Sequence, residues 1–377
     1  MNAFEKIRNE LTATYLEREE VVEGLLCALV AGQHVLLLGP PGTAKSELAH
    51  EMCKRVEDAR YFQWLLTRFT TPEELFGPIS LKGLEQDRYV RVTDGKLPRA
   101  HVAFLDEVFK ASSSILNTLL AILNERRFDG GDGPAQVPLF SMVGAANELP
   151  EDEELSALYD RFLLRYQVDY LEEDFRFLQM LTAAPAGEQT TVSMKELAEA
   201  RERSRAVTVP GEVLRDVAEL RRRLAEKDVV VSDRRWRQSL DLLRARAALS
   251  GRERVTGDDL GLYCHMLWTD PAEKAIVEEC LREVAHGHED EAEKLLYQAR
   301  EIAENARGPH EDEDSAEAAA VEALAKLHDL QRRLDAILSE AHARGRAIER
   351  VTAFRDEVRS MVRALLAAEQ GETDSRH

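Results

Sequence analysis

Long apolar runs are missing from this chain of 377 residues. Stretches such as Val35-Leu36-Leu37-Leu38 last only a few residues. A membrane-spanning helix needs about 20, so an integral membrane protein is not expected. The first residues, Met1-Asn2-Ala3-Phe4-Glu5-Lys6, show no basic stretch leading into an apolar core, so no secretory leader is expected either. Cysteine is scarce: Cys27, Cys53, Cys264 and Cys280 lie far apart with no CxxC pair. That spacing excludes a disulfide framework and points to buried thiols in a reduced, cytoplasmic compartment. Basic residues are outnumbered, 50 against 70 acidic, for a net charge of −20. Such a surface repels a phosphate backbone, so nucleic acid is not expected as a partner. What is present is an ordinary globular balance, 44% apolar and 32% charged. At about 150 residues per domain the length suggests two or three domains.

The apolar spacing of Ile7, Leu11, Val21, Leu25, Leu26 and Leu29 predicts a helix over 4–31, with Gly32 as its stop. Val35–Leu38, Tyr61–Leu65, Val102–Leu105 and Met142–Ala146 read as strands. Helices are expected from about Lys45 and over Ser112–Asn124. Two segments, 77–97 and 125–140, read as hairpin insertions. Their turn signals are Lys82-Gly83 and Asp94-Gly95 in the first and Gly130-Gly131-Asp132-Gly133-Pro134 in the second. Strands alternating with helices argue an α/β fold with a parallel sheet covered on both faces. The expected domains are an α/β core over 1–185, a linker near 183–189, an all-α lid over 190–270 and a helical extension over 271–377. The extension carries half of the net negative charge, an acidic break at 310–314 and a possible helical hairpin over 317–369. The apolar stripe of that hairpin is Leu327, Leu330, Leu334, Ile337 and Ala341, then Ile348, Val351, Val358, Met361 and Leu365.

The strongest chemical signal is Gly39-Pro40-Pro41-Gly42-Thr43-Ala44-Lys45-Ser46-Glu47, between an apolar strand and a helix. Small residues let successive N–H groups turn toward a phosphate, and the helix start adds its own free donors. Lys45 would reach the β- and γ-phosphates of ATP, or the β-phosphate of ADP, and the Ser46 hydroxyl would ligate Mg²⁺. Ala44 stands where the strict phosphate-loop pattern has glycine, and is expected to need only ordinary helical dihedrals. The strand ending in Asp106-Glu107 is the natural second half, with Asp106 beside Mg²⁺ and Glu107 polarising the attacking water. Asn147, at the end of the Met142–Ala146 strand, would bond that water or the γ-phosphate. Arg161 is a candidate finger toward a neighbour's nucleotide, with Arg165 as its rival. Arg234 would touch the γ-phosphate from the helical domain, with Arg235 and Arg237 as alternatives. His286-Gly287-His288 lacks further ligands at metal spacing and reads as an exposed loop.

The order GPPGTAKS, TPEELFG, VAFLDE, GAANELP, YDRF and SDRRW resembles an AAA+ ATPase of the MoxR family, in detail its RavA (regulatory ATPase variant A) branch. The resemblance covers about residues 5–270. It implies Walker A roles for Gly42, Lys45 and Ser46 and Walker B roles for Asp106 and Glu107. It further implies sensor 1 for Asn147, an arginine finger for Arg161 and sensor 2 for Arg234. The insertions at 77–97 and 125–140 match the family's helix-2 insert and pre-sensor hairpin. The implied activity is Mg²⁺-dependent ATP hydrolysis by a homo-hexamer that remodels protein clients, among them proteins with a von Willebrand factor A domain. The tail departs from the RavA pattern, since 271–377 reads as helices alone. Two other readings keep the ATP site: a nucleotide-gated scaffold with slow hydrolysis, and a nucleic-acid motor using Lys82, Arg88, Arg91 and Lys96.

Overall fold

The computed structural model describes residues 2–150, 152–182, 189–306, 308, 313–343 and 348–374. Residues 183–188 of the expected linker and residues 310–312 of the acidic break lie outside them. Asn2 starts α1 (Ala3–Thr14) with a reciprocal cap: its side chain accepts from Glu5 N, and the Glu5 carboxylate accepts from Asn2 N. The helix expected over 4–31 is in fact two. The chain breaks at Tyr15–Arg18, where Glu17 takes φ 57°, and resumes as α2 (Glu19–Ala31). The Glu17 carboxylate accepts the N–H groups of Glu172 and Glu173 at 2.9 and 3.2 Å, a long-range contact that no local apolar period reports. Gly32 ends α2 in the left-handed region at φ 75°, as expected of the stop.

Among the described residues seven strands follow: β1 (Val35–Leu38), β2 (Tyr61–Leu65), β3 (Val102–Asp106), β4 (Arg127–Asp129), β5 (Pro134–Gln136), β6 (Ser141–Ala146) and β7 (Leu164–Gln167). Five of them form an all-parallel sheet in the order β2-β3-β6-β1-β7. Every residue of β1 and β6 is buried, so the central strands carry apolar side chains on both faces and need cover on both. Between the strands lie α3 (Lys45–Lys54), α4 (Pro72–Phe76), α5 (Leu81–Leu84), α6 (Ser113–Glu125) and α7 (Glu153–Tyr159). This is the parallel α/β core that the alternation predicted.

The sequence missed β7. Leu164-Arg165-Tyr166-Gln167 has a charge in its middle, yet Arg165 is only 1% exposed. Its guanidinium donates to the Trp268 carbonyl and lies 3.9 Å from the centre of the Tyr159 ring. The 125–140 insertion is the expected hairpin, with β4 and β5 paired antiparallel. The 77–97 insertion is a hairpin only at its base, where Ser80 N donates to Val90 O and Val92 N to Pro78 O. Lys82-Gly83, expected as a β-turn, instead lies in α5, because the Ser80 hydroxyl caps Gly83 N.

By compactness the chain divides into two units, Met1–Val209 with Val229–Lys274, and Pro210–Asp228 with Ala275–His377. Residues 190–270, read from sequence as one helical domain, contribute to both. The first unit also holds α8 (Asp174–Thr182), α9 (Met194–Ala206) and, following α10, α11 (Asp233–Leu249). The second holds α10 (Gly211–Glu226), α12 (Lys274–Ala306, from Ala275 on), α13 (Glu313–Ala343) and α14 (Glu349–Asp374). There Leu295, Leu296 and Ala299 of α12 meet Leu327, Leu330 and Leu334 of α13 and Val351, Val358 and Leu365 of α14 in one apolar core. Apart from Gly308 and Ile348, the described residues of the tail are helical. His286-Gly287-His288, expected in a loop, lies within α12. Among the described residues no group of three or more His, Cys, Asp or Glu side chains is placed to hold a metal ion, and no helix is long and apolar enough to cross a membrane.

Candidate functional site

Because all five strands run the same way, their C-terminal ends share one edge, where parallel sheets bind ligands. At that edge β1 delivers Gly39–Ser46 into the start of α3. Gly39 has to be glycine: a Cβ there would lie 2.1 Å from the Val168 carbonyl oxygen. Gly42, at φ 81°, faces open space. Among the described residues no side chain caps the N-terminus of α3, which leaves its first N–H groups and the positive end of the helix dipole for an anion. Lys45 is buried, and its Nζ donates to Gly39 O at 2.8 Å, Pro40 O at 2.6 Å and Thr43 Oγ1 at 3.3 Å. Burial lowers the proton affinity of this ammonium, and the nearby Asp106 and Glu107 carboxylates oppose that shift. Ser46 is half-buried beside it, whereas Glu47 turns its carboxylate to the Tyr15 hydroxyl.

Ala44 does not have ordinary helical dihedrals. It sits at φ 61° and ψ 19°, in the left-handed region that glycine enters freely and an L-residue enters at about 1–2 kcal/mol. Ala44→Gly is expected to raise stability by up to about 1 kcal/mol, since relieved strain exceeds the added freedom of the unfolded chain. The urea midpoint reads this directly, and an unchanged or lower midpoint contradicts it.

β3 ends in the two acids. Asp106 Oδ1 accepts Glu107 N at 3.0 Å, and Glu107 itself is left-handed, with φ 51°. A non-glycine residue held in that region stores strain of the kind that clusters at working sites. One strand over, β6 ends beside Asn147, whose Nδ2 donates to Glu107 Oε1 at 2.7 Å. Lys110 Nζ stands 3.3 Å from the other carboxylate oxygen. Phosphate loop, Asp106, Glu107 and Asn147 thus meet at the ends of adjacent strands, although 40 residues separate the last two.

The arginines lie elsewhere. Leu163 N and Leu164 N donate to His34 O just before β1, so the start of β7 and the Asp160-Arg161 pair before it belong to the opposite edge of the sheet. Arg161 is half-buried, and its Nε has no hydrogen-bond partner among the described residues. Arg165 is spent inside its own chain, and burial pulls its pKa down to about 10. Arg235 is likewise interior: Nη1 donates to Leu163 O at 2.8 Å and Met266 O at 2.9 Å, Nη2 to Phe162 O at 3.0 Å. Arg237 is exposed. Arg234 is exposed too, and it bonds the Asp160 carboxylate.

Two residues near the loop went unnoticed in the sequence. Tyr170 donates from its hydroxyl to Pro41 O at 3.2 Å. Arg18, at the break between α1 and α2, donates to Asp169 O and is close enough to Lys45 to lower its proton affinity. Both line a cleft of about 500 Å³ together with Tyr166, Asp169 and His265. Their separation along the chain leaves no spacing signal.

Residues 2–205 match the family model described as the MoxR domain in the MoxR-vWA-beta-propeller ternary systems. The chain belongs to the MoxR family of AAA+ ATPases. A second model, an AAA lid domain, matches residues 212–281 of this MoxR chain. Among curated proteins, an uncharacterized protein of Methanocaldococcus jannaschii is 40% identical over 304 residues, covering 80% of this chain and 79% of that one. The chaperone MoxR1 of Mycobacterium tuberculosis is 27% identical over 206 residues, covering 52% and 53%. A crystal structure from Cytophaga hutchinsonii, an ATPase by provisional assignment, superposes with a TM-score of 0.60 at 19% identity. It covers 74% of this chain and 94% of that one, a likeness of fold.

Proposed function

We propose that this MoxR-family chain hydrolyses ATP, with Mg²⁺, as a cytoplasmic ring, by preference a homo-hexamer, and uses the cycle to remodel or mature a protein partner. The observation that carries hydrolysis is the Asn147–Glu107 hydrogen bond at the sheet edge that also bears the phosphate loop. In this reading the uncapped start of α3 and Lys45 bind the phosphates. The donor chemistry fits: an ammonium and free N–H groups for the phosphates, a hydroxyl and a carboxylate for a hard cation. Ser46 and Asp106 would hold Mg²⁺, which when bound supplies charge stabilisation for phosphoryl transfer. Glu107 takes up the proton of the attacking water, and Asn147 fixes the direction of that carboxylate. The cleft lined by Arg18 and Tyr170 is suited to the base and ribose. Arg161 completes the site of the next subunit.

A partner with a von Willebrand factor A domain is supported by the description of the matching family model. The RavA branch is supported by motif order alone. The test is ATPase activity per chain against protein concentration, beside Arg161→Ala. Shared sites predict activity that rises steeply with concentration and falls by about 10³-fold or more in the variant. Flat specific activity and an indifferent variant would overturn the ring.

A further inference from the structure

By sequence the insertion at 77–97 and the hairpin at 125–140 are separate additions to the core. The structure joins them. Arg91 N donates to Gly130 O at 2.8 Å, so the returning arm of the insertion is bonded to the hairpin turn. The neighbouring Gly131 takes φ 104°, and a Cβ there would lie 1.4 Å from the Tyr89 carbonyl oxygen. Only glycine lets the two backbones approach that closely. Arg88 bonds the Asp132 carboxylate across the same joint. The buried rings of Phe76, just before the insertion, and Phe128 of β4 stack with centroids 5.6 Å apart.

The hairpin is tied to the candidate nucleotide residues at both of its ends. Upstream, α6 begins shortly after Glu107; downstream, β5 leads into β6 and Asn147. The Asn147–Glu107 hydrogen bond therefore closes the stretch of chain that contains the hairpin. A shift of β6 against α6 at that bond reaches the hairpin that connects them.

We propose that the two insertions form one composite arm, pinned where Gly131 meets Tyr89, and that this arm follows the state of the Glu107–Asn147 site. The insertion carries the exposed side chains of Leu81, Leu84 and Tyr89, so the joint sets where this apolar tip is held. The backbone hydrogen bond and the glycine seat make the joint. The Arg88–Asp132 pair is half open to solvent on both sides and adds little. The coupling rests on the nucleotide reading above, whereas the joint does not.

Hydrogen exchange of the full-length chain, resolved by peptide, tests both halves. Gly131→Ala should speed exchange at Arg91 N–H roughly tenfold, the protection that one hydrogen bond provides, while the β4–β5 amides stay protected. Gly133→Ala is the control. It strains the same turn in the same way, at φ 91°, but its Cβ meets nothing within 4 Å. Exchange over 80–92 should therefore stay parental in Gly133→Ala. Equal exchange in the two variants would overturn the joint. The coupling is read in the parent, with Mg²⁺ and the imido analogue of ATP against ADP. Protection should change over 78–92 and 128–136 together, with one titration midpoint. In Gly131→Ala the hairpin should still respond and the insertion should not. If either segment responds alone in the parent, the composite arm is overturned, whether or not Gly131→Ala folds. If the analogue binds and neither segment responds, the coupling falls. If neither nucleotide binds, the nucleotide reading fails and the coupling with it, while the two glycine variants still decide the joint.

Discussion

Glu107→Gln is expected to keep ATP bound and to slow turnover by about 10²–10⁴-fold, the usual worth of a positioned general base. Glutamine preserves the length of the side chain, and its amide oxygen can still accept from Asn147 Nδ2, which now holds the carboxylate at 2.7 Å. What disappears is the basicity. The ion pair with Lys110 is lost as well, but Lys110 is half-exposed there, and such surface pairs contribute about 1 kcal/mol or less. The backbone strain at φ 51° is common to both residues, so folding should be little affected. Steady-state phosphate release and equilibrium binding of ATP, measured on one preparation, check both halves. Parental turnover would remove Glu107 from the chemistry.

Lys45→Ala should abolish activity by an earlier route, through binding. The side chain is buried, and its ammonium holds two loop carbonyls and the Thr43 hydroxyl within 2.6–3.3 Å. Its removal withdraws the positive charge facing the phosphates and leaves those loop acceptors without their donor. A charge-assisted hydrogen bond contributes about 1.5–3 kcal/mol, so ATP affinity should fall on the order of 10- to 100-fold. Calorimetric or fluorescent titration with ATP and ADP reads the loss. An unchanged dissociation constant would mean that the loop does not hold phosphate.

The core and half of the site could be read from the chain because their causes are local. Val35–Leu38 and Val102–Leu105 are apolar at every position, which only a strand buried on both faces requires. The phosphate loop is contiguous, and Asp106-Glu107 and Asn147 each follow directly on such a strand. Failures occurred where a distant partner decided. Arg165 was a rival candidate for the finger, and its charge made β7 illegible, because its partners are Trp268 and Tyr159, far along the chain or across a turn. The break after α1 depends on Glu17 reaching 155 residues ahead, to Glu172. Ala44 was misjudged because a strained dihedral is a property of the loop around it, not of the alanine. The bond from Arg234 to Asp160 spans 74 residues, so no local spacing reports it.

The central claim, ATP hydrolysis at the loop that Lys45 closes, is tested most directly by phosphate release. The purified chain should be assayed with Mg²⁺, with Mg²⁺ removed by a chelator, and beside Lys45→Ala prepared identically. The account predicts many turnovers per chain with Mg²⁺ and background alone in the other two. Equal release by Lys45→Ala, or release that ignores the chelator, would contradict it.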